Sequence, residues 1–242
     1  MWGNHIMGGN ILKKQEILKK IKGKLIVSCQ ALEEEPLHSD FIMSKMALAA
    51  DMAGAGGIRA NTVVDINAIS KETDLPVIGI IKRVYSDSDV YITPTILEVD
   101  ELIKSNASII AFDGTSRKRP NNSSIRDIID RIHLSEKIAM ADISTYEEGI
   151  NAYRMGADII STTLSGYTPY TPLNNGPDFE LIKKLSKGVP IPVIAEGMIE
   201  KPEDAVKCLK LGAFAIVVGG AITRPQLIAK KFVDAINKMG KI

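Results

Sequence analysis

Metal-binding and redox-active side chains are scarce in this sequence. Its 242 residues include two cysteines, Cys29 and Cys208, and three histidines, His5, His38 and His133. The cysteines form no metal or redox spacing, so reduced thiols in a cytoplasmic protein are the plain expectation. No histidine falls at an expected strand end, so no metal centre is expected. A strand–GxGxxG–helix fingerprint is missing too, and no cofactor is expected. Formal net charge is only +1, which removes the electrostatic case for a nucleic-acid partner. No apolar run has the ~20 residues that span a bilayer. The opening stretch MWGNHIMGGN (1–10) lacks the apolar centre of a secretion signal and reads as a disordered leader.

What is present is enough apolar sequence, 45%, to bury a sizeable core beside 24% charged residues. It is also periodic. Four stretches share one pattern, in which a helix ends at small residues and an apolar strand follows: MAGAGGIRAN (52–61), KSNASIIAFD (104–113), RMGADIISTT (154–163) and KLGAFAIVVGG (210–220). They recur about every fifty residues, the length of a quarter of an α/β barrel. Four more apolar runs lie between them: KLIVSCQ (24–30), PVIGIIKR (76–83), KIAMAD (137–142) and PVIAE (192–196). All eight are short, apolar throughout and mostly rich in Ile and Val, as strands buried on both faces of a parallel sheet should be. The amphipathic segments between them often begin at a Ser, Thr or Asp cap or just after a proline. The expected fold is therefore a single (β/α)8 (TIM) barrel over 11–242, with an open doubly wound sheet as the alternative. The basic amphipathic stretch ILKKQEILKKIK (11–22) is expected to form an extra N-terminal helix covering the bottom of the barrel. Without an aromatic residue it makes a poor membrane-surface helix.

Barrel active sites form at the C-terminal ends of the strands. The odd strands end in Gln30, Lys82, Asp142 and Glu196, each the first strongly polar side chain after its apolar run. Alternate strands fill one layer of the interior, so matching registers would place these four in a ring, with Lys82 and Glu196 facing each other. The even strands add Arg59 and the pair Thr162 and Thr163, of which Thr163 is expected to bind the substrate. Any one of these alone could be an ordinary loop-facing polar group; four at equivalent positions are harder to dismiss. Glycines after strands 7 and 8, namely Gly197, Gly219 and Gly220, with helix N-termini behind them, suit a phosphate. Arg224 is expected to clamp it. The basic run SRKRP (116–120) reads first as a solvated loop.

The segments SCQALEEEPL (28–37), GGIRAN (56–61), GIIKR (79–83), ADIST (141–145), TTLSGYT (162–168), IAEGMI (194–199) and GGAITRP (219–225) together resemble the N-acetylmannosamine-6-phosphate 2-epimerase family. The likeness runs from about Lys24 to the C-terminus, with Met198 standing where many relatives have a polar residue, often arginine. It implies a cytoplasmic, cofactor-independent enzyme of sialic-acid breakdown, forming a homodimer and acting on a small amino-sugar phosphate. Residue matching implies Lys82 and Glu196 as acid–base groups, and Gln30, Arg59, Asp142 and Arg224 as substrate contacts. Epimerising C2 requires removing a proton α to the open-chain aldehyde and returning one on the other face. Three routes fit: Lys82 and Glu196 each serving one face, Lys82 acting with a relay through a substrate hydroxyl, or a Schiff base on Lys82. The facing carboxylate favours proton transfer without a covalent bond. A neutral lysine base needs a lowered pKa, which burial and Arg59 promote and Asp142 and Glu196 oppose. The rival readings are another sugar-phosphate isomerase or lyase, and a non-catalytic sugar-phosphate sensor.

Overall fold

The computed structural model describes residues 3–173 and 175–239, with residues 3–11 described by backbone alone. Eight parallel strands close on themselves in chain order, β1 (Leu25–Cys29), β2 (Gly57–Asn61), β3 (Val77–Ile80), β4 (Ile109–Asp113), β5 (Ile138–Asp142), β6 (Ile159–Ser161), β7 (Val193–Ala195) and β8 (Ala215–Val218). The last pairs with the first through Leu25 and Ile216, Ile26 and Val217, and Val27 and Val218. All eight expected strands are present, and closure excludes the open sheet.

Strand parity divides the apolar residues into two sets, as the two-residue period of a strand requires. Ile26, Ile78, Ile80, Ile109, Met140, Ile159, Ile194 and Val217 fill the barrel interior. Their neighbours, among them Val27, Cys29, Ile58, Ile110, Phe112 and Ile160, face outward. Helices cover this outer surface with their own apolar stripes. One is α5 (Ile125–Leu134), capped by Ser124, which buries Ile128, Ile129 and Ile132. Thr95 and Glu98 form a capping box at α4 (Ile96–Leu102), and Thr145 and Glu148 form another at α6 (Tyr146–Arg154). Each satisfies backbone N–H groups that the first helical turn leaves without partners.

The leading helix α1 (Gly3–Ile21) starts within the stretch expected as a leader, of which Met1 and Trp2 lie outside the described residues. Its C-terminal turn closes the N-terminal end of the barrel. Ile21 is fully buried among the interior residues, with Ile17 and Leu18 packed against the same cluster. Around this plug, Lys14 pairs with Asp158 and the Lys20 ammonium donates to the Asp74 carbonyl. No helix among the described residues is long and apolar enough to cross a membrane.

Between α2 (Asp40–Met52) and α3 (Val63–Glu72), the carboxyl of Asp65 is buried. Burial pushes it up to about 6, with His38 opposing and Asp40 adding to the rise. The folded chain therefore keeps a proton that the unfolded chain releases near ~3.9. Its contribution to stability is whole below that value and is lost as pH rises through about 6. Asp65→Asn should match the wild type in urea unfolding near pH 4 and exceed it at pH 7.

Candidate functional site

A cavity of about 370 Å³ opens at the C-terminal ends of the strands. Gln30, Arg59, Lys82, Thr163, Glu196, Gly197, Gly219, Gly220 and Arg224 all line it, so the structure brings together nine of the ten expected site residues. Asp142 is the exception. It is fully buried and lies off the cavity wall, with both carboxylate oxygens already bonded to protein groups.

Arg59 explains this. It belongs to β2, faces into the barrel beside Ser28 of β1 and Ile78 of β3, and is 1% exposed. Such a charge is tolerated inside only when paired and hydrogen-bonded. Its Nη2 donates to Asp142 Oδ2 at 2.5 Å, while Nη1 donates to Asp142 Oδ1 at 3.1 Å and to Glu196 Oε2 at 2.7 Å. Burial alone would favour losing the arginine proton, but the two carboxylates more than reverse that and raise its pKa. The Nε group of Arg59 has no protein partner among the described residues.

Glu196 follows β7, and Thr162 holds its backbone from both sides. The Thr162 hydroxyl donates to the Glu196 carbonyl at 2.9 Å and accepts from the Glu196 N–H at 3.1 Å. The carboxylate is then oriented by Arg59 and by Thr163 Oγ1, 3.1 Å away, both acting on Oε2. Oε1 has no protein partner among the described residues. Burial raises the Glu196 pKa and the Asp142 charge adds to it, against the pull of Arg59. Lys82 shifts the opposite way, down to about 8, chiefly through burial, then through Arg59 and Arg224. The lowering influences prevail over Glu196 and Glu35. The site thus holds a base with an unusually low pKa and an acid with an unusually high one, a separation typical of acid–base catalysis.

At the other end of the cavity the backbone turns sharply. Gly197 (φ 106°) and Met198 (φ 54°) are both left-handed, which is uncommon for a residue with a side chain. After β8, Gly219 caps the short helix α9 (Gly220–Thr223). The exposed N–H groups of such a turn and helix start attract anions. Arg224 lies beside them, but its guanidinium is already bonded to Glu35, with Nε to Oε1 at 2.6 Å and Nη2 to Oε2 at 2.9 Å. Glu35 was not singled out in the sequence, where it sits in an acidic run 189 positions from its partner. Tyr91, Tyr167 and Ser28 also line the cavity, as does Lys231 from α10 (Pro225–Met239). Tyr91 comes from the excursion after β3, which carries no repeat to mark it. The basic run 116–120 is not a solvated loop, because Arg117 pairs with Asp113 and Arg119 is buried.

Residues 43–238 match the family model described as "Putative N-acetylmannosamine-6-phosphate epimerase". The chain belongs to the N-acetylmannosamine-6-phosphate 2-epimerase family. It is 59% identical over 221 residues to a protein named "Putative N-acetylmannosamine-6-phosphate 2-epimerase" from Clostridium perfringens strain 13, covering 91% of this chain and all of that one. A Clostridioides difficile protein of the same name is 58% identical, covering 91% of this chain and 99% of the relative. Among solved structures, the N-acetylmannosamine-6-phosphate 2-epimerase from Clostridium perfringens superposes with a TM-score of 0.89 at 58% identity, covering 90% of this chain and 96% of that one. Thiamine phosphate pyrophosphorylase from Pyrococcus furiosus, at 20% identity and a TM-score of 0.58, shares the fold alone.

If Arg224 contributes to phosphate binding, its loss should act on affinity more than on chemistry. Arg224→Ala should raise KM for the sugar phosphate by about tenfold or more and leave kcat within a few-fold, as measured in steady-state assays.

Proposed function

We propose that this chain interconverts N-acetylmannosamine 6-phosphate and N-acetylglucosamine 6-phosphate by proton transfer at C2, in cytoplasmic breakdown of sialic acid. The observation that carries the mechanism is the pairing, in one cavity, of a lysine shifted down to about 8 and a glutamate shifted up. The phosphate sits among Gly197, Gly219, Gly220 and Arg224, which leaves the sugar carbons to reach the deeper part of the cavity.

There the neutral Lys82 amine takes the C2 proton. The electron pair of that bond forms the C1–C2 double bond, and the carbonyl electrons move to O1. Arg59 and Gln30 are the nearby groups suited to stabilising the charge on O1. The Gln30 carbonyl oxygen is buried without a partner among the described residues, while its amide donates one hydrogen to Ser28 and has a second to offer. It is thus free to accept from a substrate hydroxyl or amide. Protonated Glu196 then returns a proton to C2 from the other face through Oε1, and exchange with water resets both groups. Asp142 acts through Arg59, fixing the guanidinium that in turn aims Glu196.

At pH 7 about a tenth of Lys82 would be neutral, enough for turnover but not saturating. Incubation with N-acetylmannosamine 6-phosphate in D2O, followed by proton NMR, tests the proposal. N-acetylglucosamine 6-phosphate carrying deuterium at C2 is expected, at a rate that falls on both sides of a pH optimum, because Lys82 must be neutral and Glu196 protonated in the same molecule. Lys82→Ala and Glu196→Ala should each abolish it. Cleavage products in place of the epimer would instead point to a lyase, and full activity without Lys82 would remove the proposed base.

A homodimer is part of this reading, supported by the last helix. α10 buries none of its residues. Ile228, Phe232, Ile236 and Met239 recur along it at helical spacing, and Phe232 is 69% and Ile236 66% exposed. A second copy of the chain would cover this stripe. Light scattering should give twice the chain mass, and Phe232→Glu with Ile236→Glu should yield a monomer; a monomeric wild type would remove this part of the reading.

A further inference from the structure

Thr163 lines the cavity and was expected to touch the substrate, but its hydroxyl is heavily engaged by the protein. Three oxygens surround Thr163 Oγ1: Asp142 Oδ1 at 2.8 Å, Ser161 Oγ at 2.8 Å and Glu196 Oε2 at 3.1 Å. A threonine hydroxyl has one proton to give and lone pairs to accept with. If Ser161 donates to it, its own proton goes to Asp142 or to Glu196, but not to both.

We propose that Thr163 is a positioning residue that keeps the Asp142 and Glu196 carboxylates compatible around the single guanidinium of Arg59, and is not a contact for the sugar. Two carboxylates share one buried cation, so full ionisation leaves an excess negative charge in the barrel. The threonine proton is the mobile part of that balance. With Glu196 ionised, the hydroxyl can serve either carboxylate. Once Glu196 takes a proton on Oε1, its Oε2 becomes the poorer acceptor and the hydroxyl turns to Asp142. Thr163 therefore follows the proton on Glu196 and lowers the cost of ionising it. Four other groups act on Glu196 from the packed elements: Arg59 of β2, Lys82 after β3, Asp142 of β5 and Tyr167 after β6.

Removing the hydroxyl takes away a donor that ionised Glu196 can use and protonated Glu196 needs less, so Glu196 becomes harder to ionise. This inference rests on the acid–base role proposed for Glu196, so its test needs a readout that does not depend on turnover. Protein labelled with 13C at glutamate Cδ gives that readout, the Glu196 resonance being assigned by its loss in Glu196→Gln.

Thr163→Val should raise the Glu196 titration midpoint by about half a pH unit or more. It should also lower kcat about tenfold while KM stays within about threefold. Thr163→Ser, which keeps the hydroxyl, should restore both. Thr163→Ala reads the same titration if valine disturbs folding. An unmoved midpoint would overturn the proposal, as would a KM raised tenfold at an intact kcat, which would make Thr163 a sugar contact. Normal turnover by Glu196→Gln would instead remove the catalytic role of Glu196 while leaving the titration to judge Thr163.

Discussion

The burial of one guanidinium inside the barrel governs the arrangement of this site. Arg59 projects from β2 into the barrel above an interior filled mostly by aliphatic side chains, and is 1% exposed. An unpaired charge there would be prohibitive. The carboxylates that compensate it come from β5 and the end of β7, and each is turned toward the barrel axis to reach it. That demand orients Glu196, occupies Asp142, and surrounds Lys82 with enough positive potential to help depress its pKa. One electrostatic constraint thus ties together charged groups from four strands.

Around that centre, the two halves of the cavity differ in what they offer a ligand. The deep half is side-chain chemistry at the strand ends, where Arg59 and Glu196 are bonded to each other and Lys82 lines the same wall. The outer half is backbone, made from turns after β7 and β8 in which Gly197 and Met198 adopt left-handed conformations. Met198 carries no charge, while Arg224 and Lys231 bring cations to this half of the wall. Glu35 holds that arginine in a defined place while partly cancelling its charge. Such a division suits a substrate whose phosphate is invariant and whose reacting carbon changes configuration.

Much of this was legible in the sequence because barrel strands state themselves. A strand buried on both faces must be apolar throughout, and the first polar residue after each such run marks the mouth, as with Gln30, Lys82 and Glu196. The same rule places Asp142 at the mouth but cannot tell a carboxylate facing a ligand from one facing an arginine beneath it. That distinction depends on the depth of Arg59 in β2. The Glu35–Arg224 pair was hidden for another reason: it forms only because closure sets β1 beside β8. The burial of Arg119 was likewise invisible, since a run of cations reads as solvated until Asp113 is placed under it. An amphipathic pattern in α10 implies a covered face, yet sequence cannot say whether the cover lies in the same chain.

The charge cluster also bears on how the chain reaches its native state. Asp142 and Glu196 lie 83 and 137 positions after Arg59, and ring closure requires β8 to find β1. While β1 to β4 are emerging from the ribosome, Arg59 has no carboxylate to meet and is better left in water than enclosed. The early strands therefore gain little by closing over it, and interior dehydration must wait for the C-terminal half. Long-range pairings of this kind slow folding and expose apolar strand edges meanwhile. The residue at the heart of the site thereby ties the first half of the barrel to the second, and a chain truncated before β5 would carry its own obstacle to collapse.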